Sequence, residues 1–284
     1  MISWDTIWTH LIDSVLKAAI SSGIILGFFC CFLLLALLLQ LVTMSFRRRW
    51  YELLGEKSWI FLAAPGTIVH ETAHALFCLI FRHRILEMKL FSPCQDGTLG
   101  MVNHSWDPKS LYQRTGNFFI GTGPIIVGIT VIALATAWLM PEVWEELEVP
   151  DFYTLSDMAA GILTIFCRMF KALFSFALWQ KWQTWLWLLI TMLIGSHITL
   201  SKEDLKNASA GIWLIPLVVF LLNFILIWFC DPAELLFTHG GACIASAMAV
   251  MLFIALTLIF FNLLLHSPVF QRGAPQKGST PRRS

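Results

Sequence analysis

Long apolar runs separated by short polar breaks make up most of the chain. Six of them, over residues 18–44, 58–81, 117–140, 182–200, 212–230 and 242–265, are long enough to cross a bilayer as helices, which takes about 20 apolar residues at a rise of 1.5 Å each. Trp50, Trp59, Trp138, Trp144, Trp179, Trp182 and Trp228 fall at or near the ends of these runs, where an aromatic belt belongs. An even number of crossings puts both termini on one side. The stretch 157–179 has a different pattern: Asp157, Gly161, Thr164, Arg168, Lys171 and Ser175 recur at steps of three and four, one polar stripe along a helix. It predicts an amphipathic helix in the membrane interface, with a crossing helix whose polar face lines a cavity as the alternative.

Composition fits this pattern. Of 284 residues 57% are hydrophobic and 13% charged, against roughly 25% charged in soluble domains. The net charge of +1 and pI near 7.7 supply no basic field for nucleic acid, which excludes that class of partner. Seven cysteines, an odd number with no C-x-x-C pair, mostly sit in or beside apolar runs; they read as small apolar filler rather than a disulfide framework. Asp5 and Asp13 precede the first run and no A-x-A-like site closes it, so that run is expected to be retained rather than cleaved as a signal. With six crossings, and Lys17 at the edge of the first run left aside, eleven Lys and Arg fall on the C-terminal side and seven opposite, favouring a cytoplasmic C-terminus, although Arg47–Arg49 beside the first run argue the other way. Residues 1–265 read as one integral membrane unit, and the polar 266–284, with Gly273, Pro275, Gly278 and Pro281, as a disordered tail.

The chemistry concentrates in the second run. Its only acidic, basic or imidazole side chains are His70, Glu71 and His74, the pattern H-E-x-x-H. On a helix the two imidazoles share a face and can chelate one metal, while Glu71 reaches an adjacent water as general base. Zinc suits such ligands and in catalytic sites takes three protein groups plus water. Chance would produce this pattern in about one such chain per hundred, and three ionisable groups within five positions of a membrane helix are costly enough to indicate function. Pro65-Gly66, just before the motif, is expected to break the helix beside a water-filled cavity.

His70-Glu71-x-x-His74 inside a membrane run resembles the site-2 protease family of intramembrane zinc metalloproteases. Two further segments agree in order. Residues 84–104 look like two short strands around an Asp96-Gly97 turn, where the family has a membrane-associated hairpin that holds substrate in extended form; Asp96, Gly97 and Asn103 are the residues there expected to meet substrate. Gly116 to Gly128, with Gly121, Gly123 and Pro124, resembles the small-residue Gly-Pro segment opening the family's next helix, and small residues also simply allow close helix packing. The likeness covers roughly 60–130. The family's usual third-ligand string, Asn-x-x-Pro followed by Asp-Gly, is missing. Asp204, where a turn meets a helix, is the nearest counterpart, although Ser201-x-x-Asp204 is also an acceptable capping box. His197 is the rival ligand, or else a packed side chain, with Asp96 and His104 behind both.

The expected fold class is thus an all-α polytopic membrane protein with about six transmembrane helices, one amphipathic helix and a small β-hairpin after the H-E-x-x-H helix. The expected function is zinc-dependent hydrolysis of a peptide bond in a membrane-embedded or membrane-tethered protein, with the lipid bilayer as setting and an accessory membrane partner to recruit substrate. The expected location is the plasma membrane, the inner membrane of a bacterium. The alternative is a non-catalytic metal-binding scaffold or partner-binding subunit. A transporter, suggested by Arg168 and Lys171, would need carboxylates in several runs.

Overall fold

The computed structural model of the protein describes residues 4–94, 97–147, 155–173, 175–230 and 233–265. The 266–284 tail and Asp96 lie outside the described residues.

Helix α1 (Trp4–Ile80) carries the first two apolar runs end to end. Its course is interrupted at Gly55, whose φ of 79° suits a residue without a Cβ. Across that break Trp50 Nε1 donates to Ser58 Oγ at 3.2 Å, and Ser58 Oγ donates back to the Leu54 carbonyl at 2.7 Å. The expected break at Pro65-Gly66 does not occur: the helix continues through Pro65. Proline there removes one backbone donor, which the flanking turns and packing override. Gly66 serves close approach instead, since a Cβ on it would lie 2.5 Å from the Leu193 carbonyl oxygen and 2.6 Å from the His197 ring.

The hairpin follows. Strands β1 (Arg84–Lys89) and β2 (Met101–Ser105) pair antiparallel, Glu87 opposite Asn103 and Lys89 opposite Met101, with an irregularity between Ile85 and Glu87. Pairing extends beyond the strands to Ser92 N–H on Leu99 O and Cys94 N–H on Thr98 O. Gly97, at φ +86°, closes the turn onto the Cys94 carbonyl.

Helix α2 (Leu111–Leu139) starts at the Ser110 cap and contains Pro124. Then come α3 (Pro141–Trp144), a 3-10 turn (Glu145–Leu147), α4 (Leu155–Leu173), α5 (Phe176–Trp179), α6 (Trp182–Gly195), α7 (Lys202–Ile212), α8 (Ile215–Cys230) and α9 (Ala233–Leu265). Three described helices are long and apolar enough to cross a membrane, α1, α2 and Ser246–Leu265 of α9, or four if α7 and α8, bent by 49°, form one broken span. Helix α6 covers only part of the run 182–200: its 14 residues reach about 21 Å. Helix α4 carries the amphipathic pattern, with Ile165, Met169 and Leu173 buried and Thr164, Arg168 and Lys171 exposed. Gly161, placed on the polar stripe by its spacing, is buried, and the Asp157 side chain lies outside the described residues.

Helix α1 packs on α2, α8 and α9, and α2 packs on α6 and α7. Helices α1, α2, α4, α6 and α9 share one core that includes Phe32, Phe46, Ile132, Ile165, Trp187 and Phe253, while Phe118, Ala208 and Ile215 form a smaller one between α2, α7 and α8. Trp59, expected in the aromatic belt, is only 3% exposed and stacks on His197 with ring centroids 5.4 Å apart. Trp138, Trp182 and Trp213 face outward together with Phe61 and Phe229, an apolar exterior that water does not accommodate well. Lys181 donates to Glu142, tying α3 to the start of α6, and this bond holds the Glu142 carboxyl below its usual range.

Trp187 Nε1 donates to the buried Thr136 Oγ1 at 2.8 Å, joining α6 to α2. Replacing Trp187 with Phe keeps most of the apolar volume and should cost about 1 kcal/mol. The loss should appear as a lower unfolding midpoint in detergent; an unchanged midpoint would mean the bond adds nothing.

Candidate metal centre

Two histidines four residues apart on α1 share a face, and the rings of His70 and His74 lie 4.9 Å apart at 73°. The third group arrives from a distant part of the chain. Ser201 caps α7: its Oγ accepts from Asp204 N–H at 3.1 Å, and the Asp204 Oδ2 accepts from Ser201 N–H at 2.7 Å. The capping box read from sequence therefore forms. The same carboxylate also faces the histidines, with Oδ1 3.1 Å from His74 Nε2 and Oδ2 3.6 Å from His70 Nε2. One ligand atom from each of the three residues lies within 4.8 Å of the others. Neighbouring ligands on a tetrahedral zinc are about 3.3 Å apart, so the group is close to the size of a zinc coordination set.

Hydrogen bonds behind the rings strengthen this fit. His70 Nδ1 lies 3.0 Å from the His197 carbonyl oxygen, and His74 Nδ1 lies 2.8 Å from the Ile120 carbonyl oxygen. A carbonyl only accepts, so both Nδ1 atoms carry the proton. In a neutral ring Nε2 is then a lone pair, and both lone pairs face a carboxylate. Acceptors facing one another repel, and either a proton on Nε2 or a metal cation between them turns the contact attractive; nitrogen and oxygen ligands of this kind suit zinc.

Both carbonyls are available for local reasons. Ile120 sits four residues before Pro124, the position whose N–H would otherwise bond it, and proline has none. His197 follows the Ser196 cap of α6, where the last carbonyls of a helix have no helical partner. Glycines then bring the elements together. A Cβ on Gly121 would lie 2.4 Å from the Asp204 carbonyl oxygen and 2.7 Å from Ala208 N, and one on Gly211 would lie 2.6 Å from the Arg114 carbonyl oxygen. Helices α2 and α7 therefore run antiparallel in backbone contact, and this contact sets Asp204 beside the histidines. Gln40 Nε2 holds the connection before α7 through the Leu200 carbonyl at 3.1 Å.

A cavity of about 430 Å³ opens onto this group. Glu71, 8% exposed, lines it along with Ile120, Ser201, Glu203 and Asn207, and the stretch from Gly100 to His104 forms one wall. The hairpin comes so close that a Cβ on Gly100 would lie 2.7 Å from Glu71 Cγ. Of the residues expected to meet substrate, Asn103 lines the cavity, Gly97 forms the hairpin turn and Asp96 is outside the described residues. The His197 ring packs between Trp59 and Gly66, with Nδ1 3.0 Å from Ser196 Oγ. Its carbonyl, not its ring, takes part in the centre. The carbonyls of Ile120 and His197 were not anticipated from sequence; the proline four positions after Ile120 was the available signal for the first.

No protein-family model, curated protein or solved structure matches the chain.

Gly121→Ala should separate α7 from α2 and lower zinc affinity by at least tenfold. Gly23→Ala, whose Cβ would meet nothing within 4 Å, should leave affinity within about threefold in the same chelator competition. Pro124→Ala restores an N–H that competes with His74 for the Ile120 carbonyl, and loss of that orienting bond should weaken zinc binding by roughly 10-fold. Unchanged affinity would mean that His74 does not depend on the freed carbonyl.

Proposed function

We propose that the protein is an intramembrane zinc metalloprotease of the site-2 type, cutting a peptide bond in a membrane-embedded or membrane-tethered protein. The observation that carries this reading is the convergence of His70, His74 and Asp204 within 4.8 Å beside a cavity that also holds Glu71. A metal held only for structure has no need of that fourth group, and Glu71 favours catalysis over the scaffold reading for this reason.

His70, His74 and Asp204 would hold the metal, which supplies Lewis-acid activation when bound. Glu71 takes a proton from the attacking water and returns it to the departing amine. At 8% exposure its carboxyl has little contact with bulk water. The Gly100–His104 wall offers backbone groups to a substrate in extended form, the form in which a peptide bond is open to attack. In this reading the break at Gly55 divides α1 into two crossing segments, and with α2, α6, α7–α8 and α9 they make about six crossings with a cytoplasmic C-terminus in the plasma membrane.

Glu71→Gln should retain zinc at the wild-type ratio by elemental analysis while cleavage of a membrane-tethered reporter falls by at least 100-fold. A wild-type protein that takes up no zinc, or a variant that cuts as fast as wild type, refutes the assignment.

A further inference from the structure

Beyond the metal-facing groups, the cavity wall includes His104, on β2. Behind it lies His83, just past the end of α1, with its Nδ1 3.1 Å from His104 Nδ1 and its Nε2 2.8 Å from the Gln113 carbonyl oxygen. His83 also stacks on Trp106, with ring planes 17° apart. These bonds run in one direction only. The Gln113 carbonyl must accept, so His83 Nε2 carries a proton; in the neutral ring its Nδ1 is then an acceptor, and His104 Nδ1 must donate to it. Burial favours the neutral form of both rings. His104 Nε2 is left as a lone pair on the opposite side of the ring from His83.

We propose that His104 is a substrate-binding residue whose Nε2 accepts a hydrogen bond from a backbone N–H of an extended peptide in the cavity, and that His83 is a positioning residue that fixes this tautomer through the Gln113 carbonyl. The proposal rests on the proteolytic reading for its ligand class. An acceptor at this point cannot stabilise a developing oxyanion. It selects an N–H donor, and a segment that presents proline there is disfavoured.

The test uses full-length zinc-loaded Glu71→Gln protein in detergent and a short apolar peptide in which one backbone amide at a time is replaced by an ester. One ester position should bind about three- to tenfold more weakly than the parent amide. Glu71→Gln/His104→Ala should lose that discrimination, and Glu71→Gln/His104→Gln, which keeps an acceptor, should recover part of it. In ¹⁵N-histidine NMR, His104 Nε2 should give the signal of an unprotonated nitrogen, and His83→Ala should mix the tautomers. Absence of peptide binding, equal discrimination with His104→Ala, or a protonated His104 Nε2 overturns the proposal. Cleavage of the parent peptide by wild type is scored separately. Cleavage without any His104-dependent discrimination leaves proteolysis standing and removes His104 from it; His104-dependent binding without cleavage does the reverse.

Discussion

A histidine can offer a metal only the nitrogen that its surroundings leave unprotonated, and here two backbone carbonyls make that choice. The carbonyls of Ile120 and His197 hold the Nδ1 protons of His74 and His70, which turns both Nε2 lone pairs toward Asp204. An ordinary helical carbonyl already accepts one backbone bond and would have to share itself with the imidazole. One is freed by Pro124 and the other lies beyond the end of α6, so two local defects in helical hydrogen bonding supply the orientation of the centre. In an apolar surrounding these bonds carry more weight than in water, because no solvent competes for either partner.

Such a centre needs several elements to approach to backbone distance, and glycine makes this possible at each of these junctions. Gly121 and Gly211 bring α2 and α7 together, Gly66 admits the end of α6, and Gly100 admits the hairpin next to Glu71. Helix association in lipid gains little from the hydrophobic effect and depends on such close packing. Asp204 joins this packing to chemistry. It completes the cap of α7 while facing the histidines, so the start of the helix and the position of the ligand are fixed by the same hydrogen bonds.

The cavity has two polar walls of different kinds. One is built from helix side chains, His70, Glu71, His74 and Asp204, and the other from the strand region Gly100–His104. The second wall can present backbone groups to an extended chain as well as side chains. Its outer support, His83 on the Gln113 carbonyl, lies just past the end of the helix that carries His70 and His74. The hairpin is thereby tied to α1 at both its base and its tip-proximal approach to Glu71.

Much of this was legible in the sequence because it is local. H-E-x-x-H puts two rings on one face wherever it forms a helix, Asp-Gly between short alternating stretches gives a hairpin, and Ser201-x-x-Asp204 gives a capped helix start. Each depends on residues within a few positions of one another. The choice between Asp204 and His197 was not legible, because both lie more than 120 residues from His70 along the chain and either could fall beside it. Sequence likewise marked Pro65-Gly66 as a break and Trp59 as a belt residue, since it registers the backbone and interfacial preferences of these residues but not the partners that override them. The tertiary structure decided these points by bringing helices to backbone contact: the side chain of Asp204, and only the carbonyl of His197, then lies within reach of the histidines.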